Sequence, residues 1–234
     1  AEYMAALISS VMSTKDKVPF FVNRCDEMGI EVLPPDVNFS QTDFAVVEGK
    51  IRFGLNAVKN VGGPCAEAIV RARAEGGAFA SIYEFAERVD PRALNKRALE
   101  SLVRCGALDS TGSSRMGMWS VVDHAIDVGQ RHSADRLAGQ ASIFDGLGET
   151  DVAKDAQYAP IPTGEFDERE LLRLEKETLG LYVSEHPLER VAGELKRKTD
   201  CSLADVERRR DGEIVVVGGI VAGIKQVTTK KGDP

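Results

Sequence analysis

A Gly-Gly-Pro run at 62–64 sits between two apolar stretches, Leu55-Asn56-Ala57-Val58 and Cys65-Ala66-Glu67-Ala68-Ile69. Such a run forces a sharp change of direction followed at once by a helix. Proline suits the first helical turn, where its missing N–H costs nothing. Ala66 and Ile69 then fall on the face that turns back onto the preceding apolar segment. The layout aims backbone N–H groups outward at a helix N-terminus, which is a seat for an anion. Glycines at 62 and 63 let a phosphate come close and allow φ > 0. Lys59, Arg71 and Arg73 lie nearby in the sequence. An ordinary αα-hairpin with no ligand is the alternative from this stretch alone. A second stretch, Ala93 to Asp109, repeats the helix–glycine–apolar order with more basic residues, among them Lys96, Arg97 and Arg104.

Composition narrows the setting. The 234 residues carry 30 Lys and Arg against 37 Asp and Glu, a formal charge of −7. That balance excludes a protein that is basic everywhere. Residues 50–137 nevertheless carry 13 basic and 10 acidic side chains, net +3, while both flanks are acidic. A polyanion would therefore meet the middle of the chain. Apolar residues make up 43 %, enough to build cores. No stretch approaches the roughly 18 apolar residues of a membrane span. Four dispersed cysteines with no C-x-x-C give neither a disulfide framework nor a zinc pattern, which fits a reducing, cytoplasmic compartment.

The rest of the chain divides by pattern. Helices are expected over 2–13 and 15–28, the second capped by Thr14, closed by Gly29 and burying Val18, Phe21, Val22, Cys25 and Met28. Glu48-Gly49-Lys50 between Phe44, Val46 and Ile51, Phe53 signals a β-hairpin. Short helices follow over 55–110. Ser81-Ile82-Tyr83-Glu84 has the spacing of a capping box, and Asn95 and Gly106 bracket a helix over 96–104. A mostly polar helix covers 115–137, with Trp119, Val122 and Ile126 on one side. Residues 139–165 hold four Gly and two Pro and suggest a linker. Helices over 166–180 and 188–198 follow, and 213–227 alternates like a twisted strand. The chain opens inside a helical stretch without Met and closes after an unpartnered strand, the pattern of a segment of a longer protein.

Distinctive blocks recur in order: Gly29 to Asn38, Ile51-Arg52-Phe53-Gly54-Leu55 running into Lys59 to Gly62, Asn95-Lys96-Arg97 to Asp109, and Leu179-Gly180-Leu181-Tyr182-Val183-Ser184-Glu185-His186-Pro187-Leu188. The glycine turn resembles a helix-hairpin-helix motif, with Asn60 where the first glycine of that turn usually stands. The whole series resembles the alpha subunits of bacterial DNA polymerase III, the C-family replicative polymerases. Glu185 stands where that family often has glycine.

The resemblance implies a mainly α chain. Its expected parts are the end of a fingers domain at 1–50 with a short β-hairpin, a tandem helix-hairpin-helix domain at 51–137, a linker at 138–165, connecting helices at 166–212, and the first strand of an incomplete OB fold at 213–234. It also implies duplex DNA contacts through Lys59, Asn60, Gly62, Gly63, Arg71, Lys96, Arg97 and Arg104. The family's two-metal chemistry, with Mg2+, sits in a palm domain upstream of the fingers. No Asp-x-Asp cluster appears here, so no catalytic residue and no cofactor is assigned to this chain.

Gln140-Ala141-Ser142-Ile143-Phe144 offers one amide and two adjacent apolar anchors on a short extended peptide. Such a peptide can dock into a partner's groove, although a Phe packed on its own domain is the plainer alternative. Gln140, Ile143 and Phe144 resemble the family's internal motif for the sliding clamp, the beta subunit, with Ile143 in place of the usual Leu. Other holoenzyme subunits would be met through the parent protein, and no membrane is expected. His124, His132 and His186 lack metal-like spacing, and the serine pairs lack a general-base partner. The charged helix near 166–177 fits a solvated face with i,i+4 pairs, and Arg208-Arg209-Arg210 a surface turn. The competing reading is a free-standing helix-hairpin-helix repair adaptor without polymerase activity.

Overall fold

The computed structural model describes residues 1–12, 14, 17–137, 158–184, 187–188 and 191–221. They fall into two bodies, Ala1–Ser184 and Glu185–Pro234, each taken by itself. The chain is mainly α. In the first body α1 (Glu2–Val11) and α2 (Val18–Glu27) precede three short strands, β1 (Val32–Leu33), β2 (Ala45–Val47) and β3 (Lys50–Arg52). Then come α3 (Gly63–Gly76), α4 (Ile82–Arg88), α5 (Lys96–Arg104), α6 (Arg115–Ser120), α7 (Val122–Leu137) and α8 (Glu168–Leu179). The second body holds α9 (Ala192–Lys198) and a 3-10 helix, Leu203–Arg208. Among the described residues no helix is long and apolar enough to cross a membrane.

Thr14 does not cap α2. Its carbonyl accepts from Lys17 N–H at 2.9 Å, and the helix starts at Val18 because Pro19 fits only the first turn. Val18, Val22 and Cys25 are buried as expected, whereas Phe21 is only half-buried and Met28 is exposed. The helix closes with Ile30 N–H on the Cys25 carbonyl, 2.8 Å.

The hairpin forms as read. β2 pairs antiparallel with β3, Val46 opposite Ile51, and Glu48 and Gly49 both have positive φ, 51° and 79°. A two-residue turn with that backbone matches the twist of the strands it joins. β1 adds a parallel partner to β3 but ends at Leu33, because Pro34-Pro35 supplies no ladder N–H. Gly54 lies where a Cβ would come within 2.6 Å of the Asp43 backbone. The five residues from Gly54 to Val58 are too few for an α-helix. In place of the expected helix end, Leu55–Ala57 makes one 3-10 turn and Val58 is extended.

Capping follows the sequence closely. Ser81 Oγ accepts from Glu84 N–H, while the Glu84 carboxylate reaches Ala80 N–H, one residue before the cap. Asn95 Oδ1 accepts from Ala98 N–H at 3.0 Å. The single helix expected over 115–137 breaks at Val121 into α6 and α7. Its buried face runs through Met118, Val121, Val122, Ala125 and Val128, with Trp119 and Ile126 at the margin. Gly129 lets α7 approach α4, since a Cβ there would lie 2.3 Å from the Ala86 carbonyl oxygen.

Two segments without regular structure brace the first body. Residues 36–40 form a brace. Val37 N–H donates to Ala107 O, Asn38 exchanges bonds with Phe79 and reaches Ser110, and Ser40 Oγ donates to Phe53 O. Arg73 from α3 donates to the carbonyls of Val37 and Ser40 at 2.8 and 2.7 Å. The second lies in the linker expected over 139–165, whose described part, 158–165, is a strap docked on α4 and the start of α6. Tyr158 stacks on Tyr83 with centroids 4.7 Å apart and donates to Glu87, while Tyr83 donates to Ala159 O. Ser114 Oγ lies 3.2 and 2.7 Å from the carbonyls of Pro162 and Gly164. The Glu165 carboxylate accepts from Arg115 and Met116 N–H, so it caps α6 from 50 residues away in sequence.

In the second body the expected strand does not form over its described part, 213–221. Asp200 bonds Val216 through both backbone and carboxylate, but no ladder partner lies among the described residues, and Ile214 is 95 % exposed.

Candidate nucleic-acid interface

Four of the eight residues assigned to duplex contact lie on one turn, Val58–Pro64. The left-handed position is Asn60, φ +64°, and not Gly62, which is extended at φ −94°, ψ 167°. Gly62 is the N-cap of α3, with Gly63 and Pro64 opening the helix. A Cβ built at Gly62 would meet only Pro64 Cδ at 3.8 Å, and one at Gly63 would meet nothing within 4 Å. The turn therefore faces open space. No side chain caps α3, whereas Ser81, Asn95, Ser114 and Asp167 cap α4, α5, α6 and α8. A helix of 14 residues with an uncapped N-terminus, opening on exposed Gly62 and half-buried Gly63, retains free donors and a positive dipole end. Ala66 and Ile69 are fully buried behind it.

The backbone around the turn is anchored from two sides. Lys59 N–H donates to the Thr178 carbonyl of α8 at 3.0 Å, so only its exposed side chain faces a ligand. Asn60 Nδ2 donates to Ser101 Oγ of α5 at 2.9 Å. Arg71 is exposed farther along α3, in a cleft with Arg92 and Arg136. Lys96 and Arg97 open α5. Arg97 is exposed, and Lys96 pairs with Asp123 at 2.5 Å, which holds its ammonium above the usual lysine range. Arg104 lies 3.6 Å from Glu177 and 4.2 Å over the Trp119 ring, so its guanidinium is engaged within the body.

The second glycine turn is built otherwise. Gly106, φ +78°, closes α5, with Ala107 N–H on the Leu102 carbonyl at 2.9 Å. A Cβ there would lie 2.1 Å from Arg115 Nη2 and 2.7 Å from Asp109 Oδ2. Arg115, only 14 % exposed, grips Asp109 through Nε and Nη2 and donates to the Arg104 carbonyl. The guanidinium fills the turn. Beneath it burial pushes the Cys105 thiol up to about 12.

Arg73, near the turn in sequence, spends its guanidinium on the 36–40 brace. The strap and its Glu165 cap were not legible, because that bond joins distant residues with no local pattern. Gln140, Ile143 and Phe144 lie outside the described residues, as do Glu185 and His186. No cluster of three or more His, Cys, Asp or Glu able to hold a metal occurs among the described residues.

Residues 29–118 match the family model described as "Helix-hairpin-helix motif". Along its whole length the chain is 38 % identical to the DNA polymerase III subunit alpha of Haemophilus influenzae. It is likewise 39 % identical to that of Mycobacterium leprae and 33 % to that of Escherichia coli K12. The chain covers 20 % of each of these relatives.

Proposed function

We propose that this chain, homologous from end to end to one fifth of the DNA polymerase III alpha subunits, is the segment of such a subunit that grips duplex DNA and tethers the enzyme to its sliding clamp. The observation that carries the first half is the open turn at Asn60–Pro64: two glycines with room beside them, Gly62 exposed and Gly63 half-buried, over an uncapped helix N-terminus. Backbone N–H groups there hold one phosphate, and Lys59, Lys96 and Arg97 add charge. None of these groups reads a base, so binding is independent of sequence. Nucleotidyl transfer with Mg2+ belongs to another part of the parent, in the cytoplasm. Gln140, Ile143 and Phe144 dock on the clamp, and residues 213–234 begin an OB fold. A clamp anchor joined to weak duplex contact raises effective concentration, and so processivity, without new chemistry. The free-standing repair adaptor is not favoured, since the likeness to alpha subunits runs the full length of the chain.

The test is a salt-dependent titration of the 234-residue chain with unrelated duplexes. The expected affinity is roughly 10⁻⁴–10⁻⁶ M, equal among sequences and weakening with salt. Gly62→Val, which fills the space a phosphate would occupy, weakens it; a variant that binds like the parent chain places the duplex on another surface. In parallel, Phe144→Ala abolishes clamp binding while duplex binding persists. Retained clamp binding in that variant rejects the tether.

A further inference from the structure

Asn60 takes a left-handed backbone, φ +64°, which a side-chain-bearing residue adopts at some strain and glycine would not. Its side chain is exposed in part and reaches across to α5. The amide donates to Ser101 Oγ at 2.9 Å, joining two residues 41 apart. Ser101 is 3 % exposed in the middle of α5, and a buried hydroxyl needs a partner. Five residues before Ser101, α5 begins with Lys96 and Arg97. The bond thus links the glycine turn to the helix that opens with two of the assigned basic residues.

We propose that Asn60 is a positioning residue and not a phosphate contact. Its amide locks the turn onto α5, so that the open N-terminus of α3 and the basic start of α5 meet one duplex backbone in a preset arrangement. A fixed spacing removes ordering entropy that binding would otherwise have to overcome. This rests on the duplex-binding reading above.

The experiment titrates the full chain, Asn60→Gly, Ser101→Ala and the double variant with one duplex over a salt series. It repeats Asn60→Gly in a Lys96→Ala, Arg97→Ala background. Asn60→Gly and Ser101→Ala should each weaken binding about three- to ten-fold, the worth of one hydrogen bond. The double variant should lose no more than the weaker single. The salt slope of the single variants should equal that of the parent chain, since no phosphate contact is removed. In the background lacking Lys96 and Arg97, Asn60→Gly should have no further effect, which a general loss of stability would not reproduce.

Ser101→Ala leaves Asn60 free to bond water and guards against misfolding of the glycine variant, and thermal melts confirm that each variant is folded. A slope lowered by about 0.9 in Asn60→Gly alone makes Asn60 a phosphate contact and overturns the proposal. Affinities unchanged in both singles overturn it equally. Absence of salt-dependent duplex binding by the parent chain instead rejects the duplex reading. In that case the lock is read from amide exchange at Val61, whose N–H bonds Val58 O at 3.2 Å. Faster exchange in both singles upholds the lock, and unchanged exchange overturns it.

Discussion

The turn at Lys59–Pro64 and the turn at Cys105–Asp109 both follow apolar segments and both contain glycine, yet one is open and the other is filled from within. At the first, a Cβ on Gly62 or Gly63 finds room. At the second, the Arg115 guanidinium occupies that room and Asp109 holds it there. The strap then docks against the start of α6, whose Arg115 fills that turn, through Ser114 and Glu165. A glycine in a turn thus has two meanings. It can spare space for a visitor, or it can admit a neighbour belonging to the same chain. Only the surroundings distinguish them, and here they leave the first turn open and fill the second.

The sharpest way to break this contrast is to place the same side chain in both turns. Gly106→Val meets a left-handed backbone and the guanidinium together. It should cost at least about 3 kcal/mol of unfolding free energy, read from urea midpoints at constant m-value. A loss under 1 kcal/mol would mean that the second turn is as roomy as the first. Arg115→Ala should follow, at about 2 kcal/mol, because it strips Asp109 of its partner and leaves a buried void. Stability equal to the parent chain would show that the plug contributes nothing.

Glu165→Gln tests the strap. Burial opposes the Glu165 charge, but N–H bonds from Met116, Phe166 and Arg115 outweigh it and hold the carboxyl below its ordinary value of 4.5. A lowered carboxyl contributes stability above the unfolded-state value and loses it as pH falls through the folded one. The cap is surface-exposed, so the expected cost of Gln at pH 7 is about 0.5–1 kcal/mol. That cost should shrink as pH falls below about 4.5, measured by denaturation of both proteins across the range. A difference independent of pH would remove the carboxylate from the account. The smallest effect is expected at Gly62→Val, whose backbone is ordinary extended conformation. Its stability should stay within about 0.5 kcal/mol of the parent chain. A large loss in the same denaturation series would show that the first turn is packed after all.

Local signals carried much of the fold into the sequence. Ser81 and Asn95 cap their helices because the capping geometry spans three residues, and Glu48-Gly49 turns the hairpin because the turn spans two. Thr14 failed as a cap because Pro19 set the helix start downstream. The glycine turn was legible in the Gly-Gly-Pro run, with Asn60, a residue that tolerates a left-handed backbone, where the first glycine usually stands. Gly62 looks the freer residue, whereas Asn60 bears the positive φ because a distant hydroxyl on Ser101 rewards it. Arg104 resembled Arg97 in sequence and differs only in having Trp119 and Glu177 beside it. The parallel strand, the brace and the strap all depend on contacts tens of residues apart, which no window along the chain contains.

The brace at 36–40 bears on the rate at which the chain folds. The bonds of Asn38 to Phe79 and Ser110 close separations of 41 and 72 residues. Such closures must be won against chain entropy before they return anything, so they form after the helices and the local hairpin. Interactions absent from the folding transition state act chiefly on escape from the native state. Asn38 and Arg73 therefore set how long the first body stays folded once formed more than how quickly it gets there.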